Sequence, residues 1–277
     1  MPIRLDTSMM SLQAFLGVDK NQNQLQKSME RMSSGLRLNR AADGAAELSQ
    51  AIELQSEQLS NMAAQRNSND GLSMVQTAEG ASGQTGDMLS RMRELSVQAA
   101  NGTLNDDQRS MIQTEISSIQ SEMDRVAGVT EFNGVQLADG TNPNVKVQVG
   151  TGGTTSDAVE IKLADLRSDS LGVGSSSVDV STSGGATSAL DAIDTAMDSL
   201  NEYRSNYGAV HNRLSSSINN LETGYIAAAE SESRIMDTDY ASETAEAAKS
   251  QMLMDMGLAV AGQANRINQK TARSLFS

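Results

Sequence analysis

LDAIDTAMDSLNEYRSNYGAVHNRLSSSINNLETGY, residues 190–225, carries an apolar side chain at every third or fourth position without a break. Leu190, Ile193, Met197, Leu200, Tyr203, Tyr207, Val210, Leu214, Ile218, Leu221 and Tyr225 fall on one stripe, about ten turns of one amphipathic helix. A stripe of that length suits a bundle or coiled coil better than a compact globule. The same period recurs at Ile112, Ile116, Ile119, Met123 and Val126, at Met88, Met92, Leu95 and Ala99, and near the start at Leu25, Met29, Met32 and Leu36. Prolines stand only at positions 2 and 143, so neither long helical region is interrupted.

Between these stripes, "RMRELSVQAANGT" (91–103) ends a helix, with Gly102 placed for the left-handed conformation that closes one. Asn105 then reads as an N-cap, with Asp106 and Asp107 favoured by the helix dipole and Gln108 completing a capping box. The middle of the chain changes character. Phe132-Asn133-Gly134-Val135 is an Asn-Gly turn between apolar flanks. Val145, Val147 and Val149, then Val159, Ile161 and Leu163, alternate with polar residues on either side of 150–157, which predicts a β-hairpin. Residues 168–188, rich in Ser, Gly, Thr and Asp, read as a loop or a reduced surface domain. The fold class is therefore mainly α: an antiparallel helical bundle or coiled coil built by the N- and C-terminal segments, with a small β-hairpin insert and a short outer region.

Composition agrees. The 277 residues include no Trp, three Phe, four Tyr and 16 Met, so the core has to be built from Ala, Leu, Ile, Val and Met. No Cys is present, which excludes disulfides and thiol chemistry. The formal charge of −14 argues against duplex nucleic acid as a partner. Charge is uneven: residues 1–40 hold six basic residues (Arg4, Lys20, Lys27, Arg31, Arg37, Arg40) against three acidic ones, and 266–277 hold Arg266, Lys270 and Arg273 with no acid. Both ends are basic and the middle is acidic. No apolar run is long enough to span a bilayer, and the N-terminus has no apolar segment of the kind found in cleavable secretory signals.

Catalytic chemistry finds little support. A single histidine, His211, lies within the long helix, so with no second His and no Cys the usual zinc sites cannot be assembled, and a His-based nucleophile triad has no convincing support. Val149-Gly150-Thr151-Gly152-Gly153 resembles a phosphate loop, but no helix pattern or lysine follows at the required spacing. Asp237-Thr238-Asp239 resembles the start of a calcium loop without its other ligands, and Asp239 reads better as an N-cap for the helix carrying Glu243. No enzyme activity, cofactor or metal is expected. What remains is surface suited to other protein: two amphipathic ends that pair as a stem and order on assembly.

At this point the residues match a family. The chain resembles bacterial flagellin at "ERMSSGLRLNRAADGAAE" (30–47), "NSNDGLSMVQTAEGA" (67–81), "RMRELSVQAANGT" (91–103), "EMDRVAGVTEFNGVQL" (122–137) and "VKVQVG" (145–150). The C-terminal block resembles it at "YGAVHNRLSSSINNL" (207–221), "SRIMDTDYASETAEAAKSQML" (233–253) and "MGLAVAGQANR" (256–266). It departs at Gly44 and Glu47, where the family often has Asp and Gly, and at the tail "ARSLFS" (272–277). "TSMM" (7–10) is similar to the related hook–filament junction protein, the alternative reading.

The resemblance implies a subunit exported unfolded through the flagellar type III channel without a cleaved signal, and polymerised into an extracellular helical filament for motility. It implies a terminal coiled-coil inner domain (1–43 and 234–277), a helical core domain with the hairpin (44–167 and 189–233), and a short variable outer loop (168–188). It also implies partners: further copies of the chain, a filament cap, junction proteins, an export chaperone, and the animal Toll-like receptor that detects flagellin. The positions matching the family's subunit contact and receptor patch are Arg91, Leu95 and Glu115, with Gln98 on the same helix edge.

Overall fold

The computed structural model describes the backbone of residues 6–273. Arg4, and the side chains of Lys270, Arg273 and the "ARSLFS" tail, lie outside the described residues. Five helices dominate the chain: α1 (Asp6–Ser34), α2 (Ala45–Ala99), α3 (Asp106–Val129), α4 (Ser183–Met236) and α5 (Tyr240–Arg273). Between α3 and α4 come two hairpins, β1 (Glu131–Phe132) with β2 (Val135–Gln136), and β3 (Asn144–Gln148) with β4 (Ala158–Lys162). The predicted fold class is the one observed. The chain divides into two compact units, residues 1–56 with 227–277, and residues 57–226.

The unit of 1–56 and 227–277 is built on the pairing of α1 with α5. Gly257 faces Val18, and Arg31 faces Glu243, so the two helices run antiparallel. The buried residues on their seam are small: Val18, Ser28, Ala247, Ser250, Ala261 and Ala264. The predicted stripe of Leu25, Met29, Met32 and Leu36 is only partly covered, and Met29 faces solvent. At the end of α1, Gly35 takes a φ of +74°, and its amide donates to the Arg31 carbonyl at 2.8 Å. That is the left-handed helix stop in which a side chain would be strained. The returning strand-like segment pairs there: Arg37 N–H donates to the Met236 carbonyl at 2.6 Å and Thr238 N–H to the Gly35 carbonyl at 3.0 Å. As expected, Asp239 caps α5, accepting from Ala241 N–H at 2.9 Å.

The unit of 57–226 contains the continuous core. Val75, Leu89, Met92, Ile116, Met123, Leu137, Ile161, Leu166, Ile193, Tyr207 and Leu214 are fully enclosed. Burial follows the predicted stripes of α2, α3 and, as far as Leu214, α4, as a 3.6-residue period requires, while Tyr225 at the end of the α4 stripe is exposed. Both hairpins form. Asn133 (φ 50°) and Gly134 (φ 79°) both hold positive φ, the mirror-image turn that an Asn-Gly pair favours. Val145 pairs with Ile161 and Val147 with Val159 across β3 and β4.

Two expectations need correction. Gly102 does not take a positive φ. Instead Arg109 closes α2 from the next helix: its Nε donates to the Ala99 carbonyl at 3.0 Å and its Nη2 to the Asn101 carbonyl at 3.1 Å. The guanidinium thus satisfies the Ala99 carbonyl that the helix end leaves without a partner and joins Leu104 N–H on the Asn101 carbonyl, while Asn105 and Gln108 form the capping box as read.

The second concerns residues 168–188. The chain is irregular only as far as Thr182, and α4 starts at Ser183 because Thr182 caps it, its Oγ1 accepting from Gly185 N–H at 3.0 Å. Within the irregular part, Leu171, Val173, Val178 and Val180 are buried. Side chains of α3 fasten this segment: Gln120 Nε2 donates to the Val173 carbonyl at 2.8 Å, Gln113 Oε1 accepts from Val180 N–H at 2.8 Å, and Asp124 accepts from Ser168 N–H at 2.8 Å. Buried backbone groups away from regular structure need such partners. Tyr207 supplies another, its hydroxyl oxygen accepting from Ala164 N–H at 2.9 Å.

Candidate assembly surfaces

In "RMRELSVQAANGT", Met92, Leu95, Ser96 and Ala99 are buried while Arg91, Arg93, Glu94, Val97 and Gln98 are exposed. The helix period sorts one stretch into a core seam and an outward face. Arg91 reaches from α2 to α3, its Nη2 standing 2.8 Å from Glu115 Oε1, and its Nη1 stands 3.0 Å from Glu94 Oε2. Those hydrogen bonds, to Glu115 first and then Glu94, raise the Arg91 pKa above its ordinary value. Arg93 turns to α4, with Nε 2.7 Å from Asp194 Oδ1, and this bond holds the Asp194 carboxyl below its usual range. Exposed pairs of this kind contribute little to stability, so they leave a charged face free for exchange with another molecule. Met111 on α3 and Val97 on α2 add exposed apolar area to the same unit, and a groove of about 340 Å³ is lined by Ser90, Arg93, Glu94 and Val97.

Arg91 and Glu115 are thus brought together, and Gln98 is exposed on the same helix. Leu95 is corrected: at 3 % exposure it belongs to the core and offers no surface of its own. The pairing of Arg93 with Asp194 spans 101 residues, and no local pattern in the sequence marks it. The i, i+3 spacing of Glu94 to Arg91, by contrast, does mark that pair.

The terminal helices offer a different surface. Leu12, Phe15, Leu16 and Met29 on α1, and Met252, Leu253, Met256, Leu258 and Val260 on α5, are exposed. Small residues fill the seam while large ones point outward, the reverse of a self-sufficient two-helix pair.

The remaining motifs have local duties. In the glycine loop, Asp157 takes up four donors: its carboxylate accepts from Thr154 N–H and Oγ1 at 3.0 and 2.6 Å, and its carbonyl from Val149 and Gly150 N–H at 2.8 and 2.9 Å. Asp237 accepts from Ser233 Oγ. His211 lies half-buried in α4.

Comparison with known proteins gives the family. The model of the bacterial flagellin N-terminal helical region matches residues 5–143, and that of the bacterial flagellin C-terminal helical region matches residues 190–275. The chain belongs to the bacterial flagellin family. It is similar to the flagellin of Halalkalibacterium halodurans, 36 % identical over 255 residues that span 92 % of this chain and 93 % of that one. It is also similar to the flagellar filament core protein flaB2 of Brachyspira hyodysenteriae, 34 % identical over 90 % of this flagellin and 91 % of the relative. The solved structure of a putative flagellar hook-associated protein from Vibrio parahaemolyticus aligns with a TM-score of 0.60 over 70 % of this chain and 100 % of that chain. At 16 % identity it speaks for the shared fold alone, and the junction-protein alternative is not favoured.

Proposed function

We propose that this flagellin assembles through the outward apolar faces of α1 and α5, and that α2 and α3 carry a second contact surface. The chain is a structural subunit of the flagellar filament, an extracellular polymer, as its family and its filament-forming relatives support. The observation that carries the assembly reading is the inverted packing of the terminal helices, with Ala and Ser on the seam and Leu, Phe and Met outside. Apolar side chains of that size gain free energy only when another surface covers them. An open helical polymer supplies such cover through repeated head-to-tail contacts. The test is removal of residues 240–277 from the purified chain: the full chain should form filaments in sedimentation and electron microscopy, and the shortened one should stay monomeric.

The finer parts of the proposal follow the family resemblance. Residues 1–43 with 234–277 act as the assembly-driven terminal domain, 44–167 with 189–233 as the helical core domain, and 168–188 as the variable segment. Arg91, Gln98 and Glu115 form a contact used either by a neighbouring subunit or by the animal Toll-like receptor, with Leu95 holding the helix beneath them. One surface cannot serve both at once, so the patch is occluded in the filament. Intact filaments that activate the receptor as strongly as monomers, with no depolymerisation, would refute this. Export unfolded through the type III channel, a cap, junction proteins and a chaperone complete the reading.

A further inference from the structure

Sixteen methionines in a chain with no Cys and no Trp make the thioether its softest electron-rich group. The structure buries some of these side chains and exposes others, and of the exposed ones Met111 on α3 (66 %) and Met62 on α2 (39 %) lie outside the terminal helices. Met74, Met92 and Met123 are enclosed in the core of residues 57–226. Met9 and Met29 on α1 are each 58 % exposed, and Met252 and Met256 on α5 are 60 % and 65 % exposed. Met252 and Met256 stand one turn apart on α5, with the exposed Leu253 between them in sequence and the exposed Leu258 and Val260 beyond. The four therefore belong to the same outward apolar faces that the assembly reading needs covered.

We propose that Met9, Met29, Met252 and Met256 form an oxidation-sensitive modification site that governs whether a subunit can join the polymer. The proposal rests on the assembly reading above. The reaction is oxygen-atom transfer from a peroxide. A sulfur lone pair attacks one peroxide oxygen, an S–O bond forms as the O–O bond breaks, the sulfur loses two electrons, and the departing hydroxide takes a proton to leave as water. The product replaces a flexible apolar side chain with a polar, chiral sulfoxide. On a face that has to be desolvated for assembly, that group would be buried without a fitted partner, which is unfavourable. Assembly in turn covers the four sulfurs, so the free subunit is the vulnerable state and the filament the protected one. Reversal needs a dithiol reductant, which takes the oxygen as water and becomes a disulfide.

The test treats the full-length monomer and the preformed filament separately with hydrogen peroxide, maps sulfoxides by peptide mass spectrometry, and then measures polymerisation. In the monomer, sulfoxide should form at Met9, Met29, Met252 and Met256 and not at Met74, Met92 or Met123, with the critical concentration for assembly raised about tenfold or more. A pair of methionine sulfoxide reductases, one for each epimer, supplied with a dithiol should restore assembly. In the filament the four positions should stay reduced. A variant with all four changed to Leu, a volume-conserving swap, should assemble and keep assembling after peroxide. Should that variant fail to assemble, the reductase arm asks the same question of the unaltered chain. Oxidised monomers that assemble normally, or filaments oxidised at these four positions as fast as monomers, would overturn the proposal. So would a Leu variant that peroxide still blocks. An untreated chain that never polymerises is a separate result, which would overturn the assembly reading and this proposal together.

Discussion

Arg31 on α1 stands 2.9 Å from Glu243 on α5, Nη1 to Oε1, across 212 residues of sequence. The second carboxylate oxygen, Oε2, is buried with no hydrogen-bond partner. Arg31→Ala would therefore leave a mostly buried carboxylate unpaired, which costs more than the loss of a surface pair, about 1–3 kcal/mol. The critical concentration for polymerisation should rise about tenfold. Adding Glu243→Ala should recover part of the loss. A double variant no better than Arg31→Ala alone would show that the pair is not coupled.

A Cβ on Gly257 would stand 2.7 Å from Val18 Cγ2. Valine is stiff at χ1, so the two helices have to separate or shift. Gly257→Ala should weaken assembly by about 1–3 kcal/mol despite Ala being the better helix former. Val18→Ala in the same chain should restore it, read from the sedimentable fraction at fixed concentration.

Arg109 matters to the other unit. Arg109→Ala removes the side-chain donor to the Ala99 carbonyl and one of the two donors to the Asn101 carbonyl. Denaturant unfolding should show a loss of about 1.5–3 kcal/mol. Arg109→Lys should recover only part of it, since an ammonium cannot reach both carbonyls with a planar fork.

Acid should act on the segment after β4. Hydrogen bonds from Arg167, with further ones from Ser170 Oγ and the Arg167 amide, hold Asp165 down to about 2 from an ordinary value near 3.8. A depressed carboxyl contributes stability that is complete above its unfolded pKa and lost as pH falls through its folded one. The stability difference between the natural chain and Asp165→Asn should therefore be constant above about pH 5 and shrink between about pH 4 and pH 2. A difference independent of pH over that range would remove Asp165 as the cause.

What could be read in advance was what local chemistry determines. Asn133-Gly134, the Asn105 and Gln108 box and the stripe from Leu190 to Tyr225 each state their structure within a few residues. Leu171, Val173, Val178 and Val180 could not be placed, because their burial depends on Gln113, Gln120 and Asp124 of another element and leaves no period in the sequence. Gly102 read as the helix stop because the true one is not local: the Ala99 carbonyl is satisfied by Arg109, ten residues away. At the proposed contact surface, Leu95 showed its burial in the stripe with Met92 and Ala99, although the family resemblance implied a contact position for it. The partner of Arg93 was invisible until α4 was laid beside α2.

Hydrogen exchange of α1 and α5, followed by mass spectrometry in the free subunit and again in the filament, bears most directly on the terminal helices as the assembly surface. Two helices joined by a seam of Ala and Ser, with Leu and Met turned to water, have little to hold them closed alone. Their amides should exchange fast in the monomer, while those of the core stripe around Ile116 and Leu214 stay protected. In the filament α1 and α5 should become protected as well. Terminal helices protected equally in both states, or unprotected in a filament that has formed, would contradict the assembly role assigned to them.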